Sequence, residues 1–259
     1  MATRLALRRD DPSGWPIAYG APMLVVYGMH RSGTSVVAGM IAEQGVFAGD
    51  VSSSGLMNPD GTRELPALTA LHNQLLARVG ARWWRPPAAP PRASSTERSQ
   101  LDEVIAPLLA REPALVKDPR MLIVGDLWDR VDLQPIGVIR DPVAVARSLQ
   151  ARRRARGGEM PIHRGLRLWA AYNLELLRRW EKSPFPLLDF DRPNGLETGL
   201  NAALAVYSIP TGRPYRFFRP DQPASSSPPR ADQESPKVPA EIAELSATLK
   251  AVADRGVRQ

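Results

Sequence analysis

The sequence predicts an α/β fold, a three-layer α/β/α arrangement in which helices cover both faces of a central parallel sheet. Short apolar segments alternate along the chain with longer segments of helical periodicity. Two of the apolar segments lead directly into a helix, the first through a loop with two glycines and the second through Arg-Asp-Pro. Strands that alternate with helices in this way are typical of a parallel sheet.

The first half of the chain predicts two strands and three helices. The apolar run 23–27 predicts a strand, and the segment 34–44 has valines, a methionine and an isoleucine at helical spacing. Leucines on one face of the segment 64–79 predict a second helix, and a third helix follows over 95–110. A short apolar run over 114–117 predicts the second strand.

The second half continues the alternation. A helix is predicted over 121–129, and an apolar run with β-branched residues predicts a strand over 135–139. Pro142 suits the first turn of the next helix, and Asp141 before it is a suitable N-cap. The remaining predicted elements are helices over 142–154, 162–181, 196–207 and 240–253 and a strand over 186–190.

Length and composition favour a cytoplasmic enzyme with one main domain. The chain has 259 residues, of which 43% are hydrophobic, and no apolar run is long enough to span a membrane. The charged N-terminus lacks the apolar stretch of a signal peptide. We expect an N-terminal arm over 1–21, a main domain over 22–218, a Pro- and Ser-rich linker over 219–239 and a C-terminal helix over 240–259.

The chain carries a net charge of +7 and has no cysteine. A basic balance favours anionic ligands, and the lack of cysteine excludes disulfides, thiolate metal sites and a cysteine nucleophile. The arginine-rich segment 147–156 is either a solvated helix end, which we favour, or a patch for substrate or nucleic acid. Because no other feature indicates nucleic acid, we expect no nucleic-acid partner, and no metal ligands are predicted.

The loop over 28–35, Gly-Met-His-Arg-Ser-Gly-Thr-Ser, joins the first strand to the first helix. Such a junction directs backbone N–H groups and the positive end of a helix dipole at one point, which suits a phosphate. The spacing from Gly28 to Gly33, with Ser35 in the last position, is that of a P-loop. Thr34 stands where the usual lysine would be, and Arg31 supplies a cation inside the loop instead.

A second candidate phosphate-binding motif begins where the third predicted strand ends. Arg140 lies at the carboxyl end of this strand, where open α/β sheets bind ligands, and its guanidinium suits bidentate recognition of phosphate. Ser148, on the following helix, is near enough to add a hydroxyl. The alternative interpretation is a local ion pair between Arg140 and Asp141.

These motifs resemble those of sulfotransferases that use 3′-phosphoadenosine 5′-phosphosulfate (PAPS), in the bacterial and carbohydrate-type branch. The loop over 28–35 is similar to the 5′-phosphosulfate loop of that family, and the segment 136–148 to its 3′-phosphate motif. Residues 58–64, Asn-Pro-Asp-Gly-Thr-Arg-Glu, and residues 117–120, Lys-Asp-Pro-Arg, are also similar to segments of that branch. The resemblance covers about residues 22–190.

The resemblance implies a P-loop-NTPase-like sulfotransferase fold and transfer of a sulfuryl group from PAPS to a hydroxyl or amine of an unidentified acceptor, a saccharide or another small metabolite. Arg140 and Ser148 are then expected to hold the 3′-phosphate. The residues expected to hold the 5′-phosphosulfate are His30, Arg31, Ser32, Gly33, Thr34 and Ser35. A P-loop small-molecule kinase and a non-catalytic nucleotide-binding homologue are the alternatives.

Three residues are predicted to act in catalysis. Arg31 would stabilise negative charge on the leaving group as an electrostatic clamp, since an arginine stays protonated. Lys117 would bind the transferred sulfuryl oxygens or an acidic acceptor, unless it is an ion-paired strand end. Glu64 is the first candidate for the general base, although it also suits the first turn of a helix, and His72 is the second candidate.

The resemblance is incomplete in two places. Arg63 stands where the bacterial segment often has an aromatic residue, and the C-terminal basic element of the cytosolic enzymes is missing, with Arg213 and Arg216 as candidate substitutes. Trp83 and Trp84 either stack on a sugar or aromatic acceptor or pack their Pro-rich loop onto the domain.

Overall fold

A computed structural model describes residues 22–53, 61–192, 195–218 and 236–256 of the chain. Within these residues four parallel strands form one sheet, as predicted. The strands are β1 (Met23–Tyr27), β2 (Leu115–Val116), β3 (Leu133–Ile139) and β4 (Leu187–Asp189). Their order in the sheet is β2-β1-β3-β4.

Seven α-helices are present in the described part of the chain, and each was predicted to within three residues at either end. They are α1 (Thr34–Glu43), α2 (Pro66–Arg78), α3 (Ser95–Leu109), α4 (Pro142–Arg154), α5 (Ile162–Lys182), α6 (Leu196–Val206) and α7 (Ala240–Gly256). The start of α4 was predicted correctly because Asp141 caps the helix. Asp141 accepts a hydrogen bond from the backbone N–H of Ala144 at 2.8 Å.

The helix predicted over 121–129 is wrong. Two short 3-10 helices, Pro119–Leu122 and Gly125–Trp128, occupy this part of the chain. Gly125 has φ +66°, in the left-handed region, and a Cβ atom there would overlap the carbonyl oxygen of Pro91. The chain must therefore turn at Gly125, and a continuous α-helix cannot form.

Helices cover both faces of the sheet. Met23, Val25 and Tyr27 of β1 pack into a core with residues of α2, α3, α4, α5 and α7. Leu24 and Val26, which point to the opposite face, pack with residues of α1 and α6. This alternation along a buried parallel strand places β1 at the centre of the three layers.

The register of the sheet brings three loops to one edge. Val25 of β1 pairs with Val116 of β2, and Tyr27 pairs with Gly137 of β3. Because the strands are parallel, the loops that follow β1, β2 and β3 all leave from the same carboxyl edge. This edge is where open α/β sheets bind their ligands.

The C-terminal helix packs on the main domain. Ile242 and Leu249 of α7 are buried, and the helix contacts α5 and β4. Three predicted parts of the chain lie outside the described residues. They are the N-terminal arm, residues 58–60 of the Asn-Pro-Asp-Gly-Thr-Arg-Glu segment and residues 219–235 of the linker. Among the helices that the structure describes, none is long and apolar enough to cross a membrane.

Gly125→Ala tests the turn that divides the two 3-10 helices. We expect a loss of about 3 kcal/mol in the free energy of unfolding, since a methyl group there adds steric overlap to the left-handed strain. Gly157→Ala is the matched control, because Gly157 has φ +72° but open space around its Cα, and it should cost about 1 kcal/mol. Urea unfolding measures both, and equal losses would contradict the packing at Pro91.

Candidate active site

The loop after β1 has a backbone that few residues adopt. Arg31 has φ +72° although it is not a glycine. Gly33, with φ +87°, precedes α1, and a Cβ atom there would overlap the ring of Phe190. No side chain of the described residues caps α1. The backbone N–H groups of Val36 and Val37 donate to the carbonyl oxygen of Gly33, so those of Thr34 and Ser35 are the ones that suit an anion at this helix start.

Arg31, Arg140 and Ser148 form an arginine cluster on one side of this loop. Nε of Arg31 donates a hydrogen bond to Oγ of Ser148 at 2.8 Å, and Nη1 of Arg140 donates to the carbonyl oxygen of Arg31 at 3.2 Å. Burial, together with the charges of Arg152 and Arg140, lowers the pKa of Arg31 to about 10. Since these like charges repel one another, the cluster favours an anion between them.

Arg140 is held by a carboxylate from the turn that follows β4. Nε of Arg140 donates to Oδ1 of Asp191 at 3.2 Å, and the backbone N–H of Asp141 donates to Oδ2 of Asp191 at 2.7 Å. Arg140 also lies over the ring of Phe190, with 5.2 Å from Cζ to the centroid. The partner of Arg140 is therefore Asp191, whereas Asp141 acts as the helix cap.

Ser35, Glu64, Lys117 and Arg120 form a lysine–glutamate cluster on the other side of the loop. Nζ of Lys117 donates to Oε1 of Glu64 at 2.8 Å and to Oγ of Ser35 at 3.3 Å. Nη1 of Arg120 donates to Oε2 of Glu64 at 3.1 Å. A carboxylate has about four acceptor positions, so Glu64 can accept a further hydrogen bond.

The two clusters meet at the loop. Arg31 belongs to the arginine cluster and Ser35 to the lysine–glutamate cluster, and the two residues are only four positions apart in the sequence. The side chains of Ser32 and Thr34 are buried, and Oγ of Ser32 has no hydrogen-bond partner among the described residues. Most of the predicted site residues therefore lie around one short segment.

His72, the second candidate base, is a buried side chain that stabilises Asp118 and does not face the site. The indole N–H of Trp128 donates to Nε2 of His72 at 3.0 Å, so this nitrogen carries no proton. Nδ1 of His72 must then carry it and donate to Oδ2 of Asp118, at 3.0 Å. Because both nitrogens are engaged and the ring is fully buried, His72 cannot take a proton from an acceptor.

Asp118 connects His72 to Arg120 of the candidate site. It accepts hydrogen bonds from the backbone N–H and from Nη1 of Arg120, both at 2.9 Å. Burial alone would raise the pKa of Asp118, but the hydrogen bonds from His72 and Arg120 and the charge of Arg120 lower it well below its usual value. Asp118 is therefore an ionised positioning residue for Arg120.

His30 of the loop packs against a tryptophan. Its ring centroid is 4.5 Å from that of Trp83, and its Nε2 atom is buried with no partner in the part of the chain that the structure describes. Burial and the charges of Arg120, Lys117 and Arg152 hold the pKa of His30 well below its usual value, so the ring is neutral at pH 7. It can therefore accept a hydrogen bond from a ligand.

Sequence patterns missed three residues of the site and, besides His72, included two that lie elsewhere. Asp191 and Phe190 were missed, although both follow a strand at the ligand edge, and so was the site contribution of Arg152, one turn after Ser148 on α4. Nη1 of Arg213 contacts the carbonyl oxygen of Glu43, at the far end of α1 and about 15 Å from the loop. The backbone N–H of Arg216 binds the carboxylate of the same glutamate.

No protein-family model, no curated protein and no solved structure matches the chain. Its function must therefore be inferred from its own motifs and from the contacts of its side chains.

Asp118→Asn tests the buried support of the site through its pH dependence. The folded pKa of Asp118 lies below the unfolded value of about 3.9, so its stabilisation is present above that value and is lost as the pH falls below it. We expect Asp118→Asn to cost about 3 kcal/mol at pH 7 and less at pH 3. Urea unfolding at several pH values measures this difference.

Asp50→Asn is the control for this experiment, because Asp50 is exposed and the substitution should change the free energy of unfolding little at any pH. A deficit of Asp118→Asn that stays constant between pH 7 and pH 3 would contradict an ionised Asp118.

Proposed function

We propose that the chain is a PAPS-dependent sulfotransferase of P-loop-like fold, which transfers a sulfuryl group to a hydroxyl or amine of an acceptor, a saccharide or another small metabolite. The observation that carries the proposal is the contact between the two motifs. Arg31 donates to Ser148 at 2.8 Å, and Arg140 donates to the backbone of Arg31 at 3.2 Å. Two anion sites this close suit a nucleotide with phosphates at its 3′ and 5′ positions.

Different residues bind the two phosphate groups of the donor. PAPS is the substrate that supplies the activated sulfuryl group. In this proposal Arg140 and Ser148 hold the 3′-phosphate, since a guanidinium and a hydroxyl both donate to phosphate oxygens. The first-turn N–H groups of α1 and the side chain of Arg31 hold the 5′-phosphosulfate.

The chemistry requires positioning and charge stabilisation more than covalent help, as in phosphoryl transfer. The acceptor oxygen forms a bond to sulfur while the bond from sulfur to the 5′-phosphate oxygen breaks, and that oxygen keeps the electron pair. Arg31 stabilises the charge that develops there. Glu64 takes the proton of the acceptor, and Lys117 neutralises the transferred oxygens.

One contact supports a sulfotransferase over a P-loop kinase. In P-loop kinases the final Ser or Thr of the loop binds Mg²⁺ through its hydroxyl. Here the hydroxyl of Ser35 donates to the carbonyl oxygen of Thr62 at 2.9 Å and faces Nζ of Lys117 at 3.3 Å. A lysine ammonium thus stands where the kinase needs a metal ion.

Binding of 3′-phosphoadenosine 5′-phosphate (PAP) tests the nucleotide site. We expect calorimetry to show that PAP binds the wild type at least about tenfold more tightly than 5′-AMP, because charged hydrogen bonds to the 3′-phosphate are worth more than 1.4 kcal/mol. Arg140→Ala should remove this preference. Mg·ATP is the comparison ligand, and tight binding of Mg·ATP with no preference for a 3′-phosphate would favour the kinase.

Asp191→Asn is the matched variant for the PAP experiment. It removes the carboxylate that holds Arg140 in the free protein, so PAP should bind as tightly as to the wild type or more tightly. Weaker binding to Asp191→Asn would mean that Asp191 positions Arg140 and does not compete with the 3′-phosphate.

Glu64→Gln tests the general base. Hydrolysis of PAPS, with water as the acceptor and PAP release as the signal, should fall about 100-fold, since base catalysis is typically worth that much or more. The affinity for PAP should stay unchanged, and the exposed variant Glu103→Gln should keep full activity. A wild type that binds PAP but does not turn over PAPS would favour the non-catalytic homologue.

A further inference from the structure

A cleft of about 310 Å³ opens beside the candidate active site. Trp83 and Trp84 line one part of it, and the last turn of α4 and the start of α5 line the other. Among the residues that the structure describes, four arginines and a single glutamate, Glu159, line this cleft. Its volume suits a ligand of the size of one or two sugar rings.

The cleft adjoins the phosphate loop through Trp83. Trp83 lines the cleft and contacts His30 of the loop, with 4.5 Å between the ring centroids and 52° between the ring planes. The guanidinium of Arg152, another lining residue, lies 5.8 Å from the centroid of Trp83. Arg152 also follows Ser148 by one turn on the same face of α4. A ligand in the cleft therefore lies next to the loop expected to hold the sulfuryl group.

The walls of the cleft combine aromatic surface with positive charge. Trp84 is 41% exposed, which is unusual for so large an apolar side chain, and Arg164 lies 5.4 Å from its ring centroid. Arg153 and Arg156 add two further cations, both on exposed chain. Planar guanidinium groups bind carboxylate and phosphate with good geometry, and tryptophan faces pack against ring ligands.

We infer that this cleft binds the acceptor, and that the acceptor is an anionic saccharide whose ring packs on the tryptophans and whose acidic group pairs with the arginines. The assignment of the ligand as acceptor rests on the proposed function; the binding of an anionic sugar does not. The arginine-rich segment is then a substrate surface and more than a solvated helix end. The volume of the cleft, about 310 Å³, favours a small ligand over a nucleic-acid strand.

Direct binding of matched glycosides tests this inference. Phenyl β-D-glucuronide, phenyl β-D-glucoside and the 6-phosphate of the glucoside share both rings and differ only at the sixth carbon. Calorimetry on the full chain, without nucleotide, should show the two charged probes binding at least about tenfold more tightly than the neutral one. The tighter of the two charged probes identifies the acidic group as carboxylate or phosphate.

Variants at the two ends of the cleft separate charge from stacking. Arg156→Gln should reduce the preference for the charged probes, whereas Trp84→Ala should weaken all three alike. Arg154→Gln is the matched control, because Arg154 ends α4 but does not line the cleft. It should bind all probes as the wild type does.

Several outcomes would overturn the inference. These are equal affinity for the charged and neutral probes, unchanged binding in Arg156→Gln, no binding of any probe, or tighter binding of the oligonucleotide dT10 that Arg156→Gln abolishes. PAP titration of the same proteins keeps the two proposals apart. If PAP binds and the glucuronide does not, only the acceptor inference fails; if the glucuronide binds and PAP does not, the sulfotransferase proposal fails.

Discussion

The parallel pairing of β1 with both of its neighbours is the constraint on which the site depends. Chain segments that are far apart in sequence begin at the same edge only because β2 and β3 run in the direction of β1. A buried central strand tolerates little change of register, since a shift by one residue would reverse which side chains face each core. The short distance between Arg31 and Ser148 is therefore set by the pairing of the strands, which fixes where the loops begin.

A connected set of buried polar groups holds the Glu64 side of the candidate site in place. The hydrogen bonds run from Trp128 through His72, Asp118 and Arg120 to Glu64. Taking such groups out of water costs free energy that their mutual attraction only partly returns, and each member is expensive to leave unpaired. Their benefit is geometric, because a fully paired network allows Glu64 one position at the loop.

Local signals predicted the elements and the motifs, whereas contacts between distant residues decided the details of the site. Asp141 and Pro142 show the start of α4 in the sequence itself, because capping is a short-range effect. The hydrogen bond between Arg140 and Asp191 spans 51 residues, and that between His72 and Trp128 spans 56. No local pattern reports such pairs. The helix predicted over 121–129 failed for the same reason, since the distant Pro91 decides the backbone at Gly125.

The short outer strands have a consequence for the behaviour of the protein in concentrated solution. β2 has two residues and β4 has three, so each exposes few backbone groups to a further strand. Hydrogen bonds from and to Phe47 cover part of the β2 edge, and α7 packs against β4. Sheet edges that are short and covered cannot easily template pairing with a second molecule. We therefore expect the folded sheet to resist aggregation through its edges.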